Sequence, residues 1–204
     1  MLAVGLTGNY GMGKSTVLPI FRELGAVTLE ADEIVRELLT EKHVLAKIRE
    51  LMGKDVFYRN GRLNRKKVAK TVFQDDSMRR SLEDILHPLV FDKIESFLGR
   101  MSGRRRIAVI EVPLLFERGY QGRFDRTVTV YSRVEQALSR LAKAGVTRQE
   151  ALQRLRAQLP VEEKIRLSDF AIDNSGTLQE TARQAEKIFH KLVREDADGR
   201  HHRP

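Results

Sequence analysis

Short apolar runs and stretches of helical spacing alternate along most of the chain. The runs end at turn or charged residues, as buried parallel strands do, and cover residues 2–7, 26–29, 107–113, 127–131 and 170–172. Apolar positions at helical spacing predict a helix at 14–24, then helices from Asp32 onward through 44–52, 68–73, 78–86 and 89–98. Further helices are predicted at 134–143, 148–159 and 178–194. The pattern predicts an α/β fold, a doubly wound parallel sheet with a helical insertion after its second strand.

The composition is that of an ordinary globular protein. The 204 residues fit one α/β domain, of which 41% are hydrophobic and 32% charged, and no apolar run approaches the ~20 residues of a membrane helix. The chain contains no cysteine, which excludes disulfides and thiolate metal sites and makes the cytoplasm the expected compartment. The first residues run directly into a strand-like segment, so we expect no signal peptide and no membrane association.

Basic residues exceed acidic ones, giving a formal net charge of +9 and a pI of about 10. Such an excess suits polyanionic partners: nucleic acid, an anionic membrane surface or small molecules with several phosphates. The basic residues are spread in short runs, at 62–67, at 104–106 and in a tail at 196–204 that we expect to be flexible. Most of them are expected to be solvated surface, so charge alone does not choose among these partners.

A complete phosphate-binding motif lies between the first predicted strand and the first predicted helix. Residues 8–15 match G-x-x-x-x-G-K-[ST], whose glycines let successive backbone N–H groups point at a β-phosphate. Lys14 is expected to contact the β/γ oxygens and act in catalysis, and the Ser15 hydroxyl to bind Mg²⁺. The expected ATP-binding residues of this P-loop are Gly11, Met12, Gly13, Lys14, Ser15 and Thr16. The alternative, a glycine-rich turn with a chance match, does not explain why a strand precedes the motif and a helix follows it.

Two carboxylates, Glu30 and Asp32, follow the second predicted strand. They fall at the carboxyl edge of the sheet, where the phosphate motif also lies. A carboxylate there can hold an acceptor hydroxyl in line with a γ-phosphoryl group and take its proton, which makes Asp32 a catalytic candidate. Alternatively, Asp32 caps the next helix, and the two roles are compatible.

Several segments together resemble dephospho-CoA kinases over nearly the whole chain. The family's T-G-G-I-G-S-G-K-S-T loop corresponds to residues 7–16, and its L-G-A-x-x-x-D-A-D segment to residues 24–32. Its L-H-P-x-V/I segment corresponds to residues 86–90, and V-P-L-L-F-E is matched residue for residue at 112–117. The family's Q-x-x-x-E-K and A-D-x-V-I-x-N-x-G segments correspond to residues 158–164 and 168–176.

The resemblance implies a P-loop kinase that uses ATP and Mg²⁺ to phosphorylate the ribose 3′-hydroxyl of dephospho-CoA. The products would be coenzyme A and ADP, in the last step of coenzyme A biosynthesis. It implies a core of residues 1–31, 104–133 and 168–195, a helical acceptor domain at 32–103 and a helical lid segment at 134–167. The expected partners are ATP and dephospho-CoA, in a monomer or small homo-oligomer.

The resemblance also implies roles for single residues. Asp32 corresponds to the family's catalytic aspartate. Acceptor-binding residues are expected at Asp32, His87, Pro113, Leu114 and Leu115, the last three shaping the pocket through their backbone. Further ATP-binding residues are expected at Arg140, Arg154, Asn174 and Gly176. Alternatively, His87 is a core or helix-capping residue, and residues 174–176 are an Asn-x-Gly turn.

The chain departs from the family pattern in the D-A-D segment and in the phosphate-binding loop. Glu30 replaces the first aspartate of D-A-D, while Asp32 is intact. Asn9 and Met12 replace a glycine and a small polar residue in the loop, where only backbone amides are needed. Glu111, at the end of the third strand, could hold Mg²⁺ through water, although the family does not fix that position.

The lid segment departs from the family as well. Lys143 replaces one lid arginine, and Arg140 is displaced by one residue from the position of another, whereas Arg154 is in register. A lysine supplies charge without the bidentate fork that arginine offers a phosphate. We therefore expect Arg154 to be a better phosphate clamp than Arg140.

Two other functions fit parts of the sequence. A nucleoside monophosphate kinase of the same architecture explains the loop, the insertion and the lid, but not the D-A-D-like and V-P-L-L-F-E segments together. A nucleic-acid-associated P-loop ATPase fits the high pI and the basic run at 104–106, but aromatics are only 6% and no tryptophan offers a stacking surface. A catalytically inactive regulator is the least favoured, because Lys14, Ser15 and Asp32 are all present.

Overall fold

The computed structural model describes residues 1–100 and 107–199, apart from the side chain of residue 73. Its centre is a parallel sheet of five strands in the order β2-β3-β1-β4-β5. The strands are β1 (Leu2–Thr7), β2 (Val27–Glu30), β3 (Ile107–Glu111), β4 (Arg126–Tyr131) and β5 (Phe170–Asp173). All six residues of β1 are buried, as expected for a central strand covered on both faces. The predicted α/β class and all five strands are confirmed, with ends that differ by one or two residues.

The described residues also form nine α-helices. They are α1 (Lys14–Glu23), α2 (Ala31–Leu38), α3 (Lys42–Met52), α4 (Arg65–Gln74), α5 (Asp76–Arg100), α6 (Val134–Lys143), α7 (Arg148–Arg156), α8 (Val161–Leu167) and α9 (Leu178–Ala197). Short 3₁₀ turns occur at Lys54–Val56 and Tyr120–Arg123. The core of the sheet joins β1, β3 and β4 to apolar residues of α1 and α9, among them Val17, Phe21, Ala185 and Leu192. None of these helices is long and apolar enough to cross a membrane.

The chain divides into two compact units. One contains residues 1–30 and the chain after residue 100, with the whole sheet; the other is the helical unit Ala31–Arg100. The division falls close to the ends expected for the acceptor domain, 32 and 103, whose function stays a prediction. Residues 104–106 of the expected core and residues 200–204 of the basic tail lie outside the described residues. Within the part described, α9 continues to Ala197, beyond the expected start of the tail.

The helical unit differs from its prediction at Pro88. Two helices were expected, at 78–86 and 89–98, but α5 runs unbroken from Asp76 to Arg100 with Pro88 inside it. Proline inside a helix costs about 3 kcal/mol through a lost hydrogen bond and a clash. Side chains on both sides of Pro88 are buried, including Leu86, Val90 and Phe91. We infer that the free energy gained by their burial exceeds the cost of the proline.

The lid segment also differs from its prediction, because it contains three helices rather than two. A single helix was expected at 148–159, but α7 ends at Arg156 and α8 begins after Pro160. Proline suits the start of a helix and not its interior, so Pro160 separates the two. Four residues between the helices, 157–160, are thereby left in extended or turn geometry near the P-loop.

Candidate active site

The P-loop connects β1 to α1 and aims the amino end of α1 into the site. Gly13 is the residue before α1 and has φ +99°, and its carbonyl accepts hydrogen bonds from Thr16 N and Val17 N. A Cβ at Gly13 would collide with Asn174 Nδ2. Position 13 must therefore be glycine for both its backbone angle and its neighbour. The unpaired N–H groups of the first helical turn attract an anion such as phosphate.

Lys14 bends back over the loop. Its Nζ donates to Gly8 O at 2.9 Å and lies 4.0 Å from Glu111 Oε1, at the carboxyl end of β3. Both side chains are mostly buried. The structure thus brings together the P-loop lysine, the first turn of α1 with Ser15, and the Glu111 carboxylate at one edge of the sheet.

Asn174 lies against the loop and is buried, with 4% of its surface exposed. Its Nδ2 donates to Met12 O at 3.0 Å, and its Oδ1 accepts from the Thr181 hydroxyl of α9 at 3.1 Å. Its backbone N donates to Tyr131 O at the end of β4. Gly176, two residues later, lies outside this cluster and is exposed.

The outer part of the loop is held by the segment between α7 and α8. Asn9 Nδ2 donates to Leu159 O at 3.0 Å, and Tyr10 N donates to Gln158 Oε1 at 2.8 Å. The Met12 side chain is fully buried in a cluster with Ala137 of α6 and Val161 of α8. Residues 9 and 12, which depart from the family pattern, therefore both attach the loop to the lid segment, together with residue 10.

Two arginines of the lid segment lie beside the loop. Arg140 donates to Asn174 O at 2.8 Å and to Ser132 Oγ at 3.3 Å, and it lies next to Gly13. Arg154 stacks 4.9 Å above the Tyr10 ring and is paired with Glu150 at 2.7 Å. Half of the Arg154 side chain is exposed, and Lys143 is exposed. Both expected arginines are therefore near the loop, and Arg140 is the one beside the helix start.

The segment after β3 connects the loop to the lid segment through its backbone. Pro113 O accepts from the Thr7 hydroxyl at 3.1 Å and from Lys164 Nζ at 3.4 Å. Leu115 is fully buried against Gly5 and Phe124, so only its backbone is available to a ligand. Pro113 and Leu114 are partly exposed.

A buried ion pair joins two of the family-like segments. Lys164 Nζ lies 2.8 Å from Glu117 Oε1, which also accepts from Leu159 N at 3.1 Å. The Lys164 side chain is fully buried, and that burial lowers the pKa of its ammonium group, although Glu117 opposes the shift. Glu117 thus binds the segment at 158–160 through Leu159 N, and the Lys164 ammonium group balances the negative charge of Glu117.

The remaining predicted residues lie in the helical unit. Asp32 is the second residue of α2, in its first turn, rather than the residue before the helix. A carboxylate there interacts favourably with the helix dipole, but the expected capping geometry is absent. His87 is partly buried in the middle of α5, where no helix ends, so the capping alternative for His87 is wrong.

Comparison with known proteins identifies the family. The family model described as dephospho-CoA kinase matches residues 2–180. The dephospho-CoA kinase of Aquifex aeolicus is 36% identical over 196 residues, which are 96% of this chain and all of that protein. That of Carboxydothermus hydrogenoformans is 40% identical over 192 residues, 92% of this chain and 93% of that protein. The chain belongs to the dephospho-CoA kinase family.

Solved structures share the fold of this chain. A structure from Thermus thermophilus has a TM-score of 0.83 at 34% identity, covering 93% of this chain and 96% of that one. The dephospho-CoA kinase from Campylobacter jejuni has a TM-score of 0.70 at 24% identity, covering 94% and 97%. Shikimate kinase from Acinetobacter baumannii, at 18% identity and a TM-score of 0.52, shares the fold over 96% of this chain and 94% of its own.

The family assignment confirms the resemblance seen in the sequence. As a member of the dephospho-CoA kinase family the protein is an enzyme, a kinase that uses a nucleotide donor. A nucleoside monophosphate kinase and a nucleic-acid-associated ATPase are not favoured. The roles of single residues are not tested by family membership and stay predictions.

Several residues that support the site were not predicted from the sequence. Glu117 and Lys164 lie in segments matched to the family, yet spacing could not show that they pair across 47 residues. Thr181, which bonds to Asn174, is an unremarkable helix residue in sequence. The sequence did carry one sign that other segments contact the loop: Asn9 and Met12 have larger side chains than the family residues they replace.

Proposed function

We propose that this protein transfers the γ-phosphoryl group of ATP to the ribose 3′-hydroxyl of dephospho-CoA, giving coenzyme A and ADP. The observation that carries the proposal is the complete P-loop, with Lys14 and Glu111 at one sheet edge, in a chain of the dephospho-CoA kinase family. Phosphoryl transfer needs mainly positioning and charge stabilisation, and this edge supplies both.

The donor phosphates would be held by the loop and the start of α1. Backbone N–H groups from Gly11 to Thr16 would surround the β-phosphate, at the positive end of the helix. Lys14 would leave Gly8 O, an uncharged partner, to contact the β/γ oxygens. Arg140 and Arg154 would add positive charge from the lid segment, where they already lie near Gly13 and Tyr10.

The residues at this edge fit a magnesium ion. Mg²⁺ prefers oxygen ligands and commonly keeps several waters, so one hydroxyl and one nearby carboxylate suffice beside the phosphates. Ser15 would supply the hydroxyl, and Glu111 would bind through water. The ion, when bound with ATP, would neutralise charge that develops on the transferring group.

The adenine would lie near the turn after β5. Asn174 and Gly176 belong to this turn, and an adjoining cavity of about 540 Å³ is lined by Arg133, Ser175 and Gly176 among others. In support of this placement, Asn174 connects the turn directly to Met12 of the loop in which the phosphates would lie.

For the acceptor, the family resemblance points to Asp32 and His87 in the helical unit and, separately, to the segment after β3. Asp32 follows the end of β2 by two residues, and the last residue of β2, Glu30, is in register with Glu111 of β3. Asp32 would accept the proton of the 3′-hydroxyl. His87 would bind the acceptor from α5, and residues Pro113, Leu114 and Leu115 would contribute backbone groups.

The decisive experiment is a substrate panel with the purified protein and Mg·ATP. Release of ADP with dephospho-CoA, and formation of coenzyme A, is the expected result. Turnover with nucleoside monophosphates but not with dephospho-CoA would support a nucleoside monophosphate kinase. ATP hydrolysis stimulated by nucleic acid would support a nucleic-acid-associated ATPase. Sedimentation would test the expected monomer or small homo-oligomer. Cell fractionation would test the expected cytoplasmic location, which is consistent with the lack of cysteine.

A further inference from the structure

Four separate elements converge on Asn174. Its side chain connects the P-loop to α9, through Met12 O and the Thr181 hydroxyl. Its backbone connects the end of β4 to α6, because it donates to Tyr131 O and accepts from Arg140 at 2.8 Å. The residue is 96% withdrawn from solvent, and each polar atom of its side chain already has a protein partner.

The bond to Met12 O fixes the direction of the next amide. Met12 O and the N–H of Gly13 belong to one peptide group, which is planar and trans, so the two bonds point in opposite directions. Asn174 holds the carbonyl on the side of the turn after β5. The N–H of Gly13 is thereby directed away from Asn174, to the opposite side of this peptide.

Met12 O determines which way round the Asn174 amide lies. An asparagine amide can rotate by 180° and exchange its donor and acceptor ends, but a carbonyl oxygen only accepts, so Nδ2 faces Met12 O. Oδ1 then faces the Thr181 hydroxyl, which donates to it at 3.1 Å. The single proton of that hydroxyl is shared with Thr177 O at 3.2 Å, one helical turn earlier, so α9 holds the hydroxyl in place beside Oδ1.

We infer that Asn174 is a positioning residue for the P-loop: it contributes to nucleotide binding by holding the Met12–Gly13 peptide, and Thr181 contributes through it. The inference rests on the proposed nucleotide site and refines it. A residue that contacts adenine discriminates among nucleotides, whereas a residue that positions a loop amide affects every ligand that carries the same phosphates. The Asn174 side chain is buried, and its nitrogen and oxygen each already bond to a protein group, which favours the second behaviour.

The test compares ligands with and without a base. Dissociation constants of Mg·ATP, Mg·GTP and Mg·tripolyphosphate are measured by calorimetry for the wild type, Asn174→Ala, Thr181→Val and Thr181→Ser. Positioning predicts that Asn174→Ala weakens all three ligands by the same factor, about tenfold, since one buried hydrogen bond is lost and a carbonyl is left unpaired. Thr181→Val should weaken all three in the same direction, and Thr181→Ser should restore near wild-type binding because it keeps the hydroxyl.

Other outcomes would overturn the inference. Weaker ATP binding with unchanged tripolyphosphate binding in Asn174→Ala would make Asn174 a base contact. Unchanged binding of all ligands would leave it without either role. If Asn174→Ala does not fold, the Thr181 pair decides the question alone, because Thr181 is fully buried and does not reach a ligand. Failure of the wild type to bind either ATP or tripolyphosphate would instead refute the proposed nucleotide site.

Discussion

The ammonium group of Lys164 lies 2.8 Å from the Glu117 carboxylate, and the Lys164 side chain has no exposed surface. Glu117 is also mostly buried and holds Leu159 N, in the segment that bonds to the P-loop at Asn9. Two charges removed from water in this way stabilise a fold only while both are present. The pair therefore connects the stability of the core to the geometry of the loop.

Removing the carboxylate should destabilise the protein more than removing the whole pair. Glu117→Gln keeps the shape but leaves an uncompensated buried ammonium group, which we expect to lower the free energy of unfolding by about 3–5 kcal/mol. Lys164→Met combined with Glu117→Gln should recover part of this loss, because no charge remains buried. Urea denaturation of the single and double variants measures the coupling. Wild-type stability of Glu117→Gln would show that the carboxylate does not balance Lys164.

The lowered pKa of Lys164 predicts a gain of stability at alkaline pH. Burial lowers the pKa of the folded lysine below its unfolded value of about 10.4, so the unfolded chain binds more protons between the two values. The contribution of residue 164 to stability should therefore rise as pH increases through that window. The measurement is the urea midpoint against pH for the wild type relative to Lys164→Met, which does not titrate there. A difference that falls with rising pH would contradict the assigned direction.

Lys14→Ala should abolish phosphoryl transfer. Its ammonium group is the cation placed on the loop, and the loss of such charge stabilisation lowers kcat by a factor of at least about 10²–10³. Steady-state ADP release with dephospho-CoA is the assay. Lys191→Ala, which removes an exposed lysine of α9, is the matched control and should keep wild-type turnover. Normal turnover of Lys14→Ala would mean that this loop is not the active one.

Asp32→Asn should leave ATP binding nearly intact and lower kcat by about 10²–10⁴-fold, the range for loss of a general base. Asparagine is nearly isosteric, and at the second position of α2 it removes only the small dipole contribution of the carboxylate. A purely structural Asp32 therefore predicts near-normal turnover. Glu30→Gln is the matched control and should be milder. If the Glu30 variant were the more damaged of the two, the catalytic carboxylate would be Glu30.

The lid arginines should differ in their effects on ATP use. Arg140 lies beside Gly13 and bonds to Asn174 O, so Arg140→Ala should lower kcat/KM for ATP by about 10–100-fold. Contrary to the ranking expected from the sequence, Arg154→Ala should have the smaller effect, because Arg154 is half exposed and already paired with Glu150. Lys143→Arg should be tolerated, since Lys143 is exposed. A kinetically silent Arg140→Ala would exclude this residue as a phosphate ligand.

Much of the fold could be predicted because its strongest signals are local. Continuous apolar strands and the Gly8 to Ser15 motif depend on neighbouring residues, and both lie where they were expected. The helix across Pro88 could not be predicted, because burial of residues such as Leu86 and Val90 overrides a local preference. The same limit applies to the site. The motif predicted the loop, but Gln158 and Asn174, which bond to it, are distant in sequence. Residue spacing alone does not show which distant residues form hydrogen bonds.

The position of β1 has a consequence for the synthesis of the protein. β1 and the P-loop are synthesised before β3 and β4, yet β1 lies between those two strands, and Met12 O pairs with an amide 162 residues further along the chain. A nascent chain that ends before residue 174 therefore contains the entire phosphate motif in a form that is not yet closed. Such long-range pairing is slow to form. If Asn174 positions the loop as inferred, ATP stabilises the chain more strongly once translation has passed β5 than before.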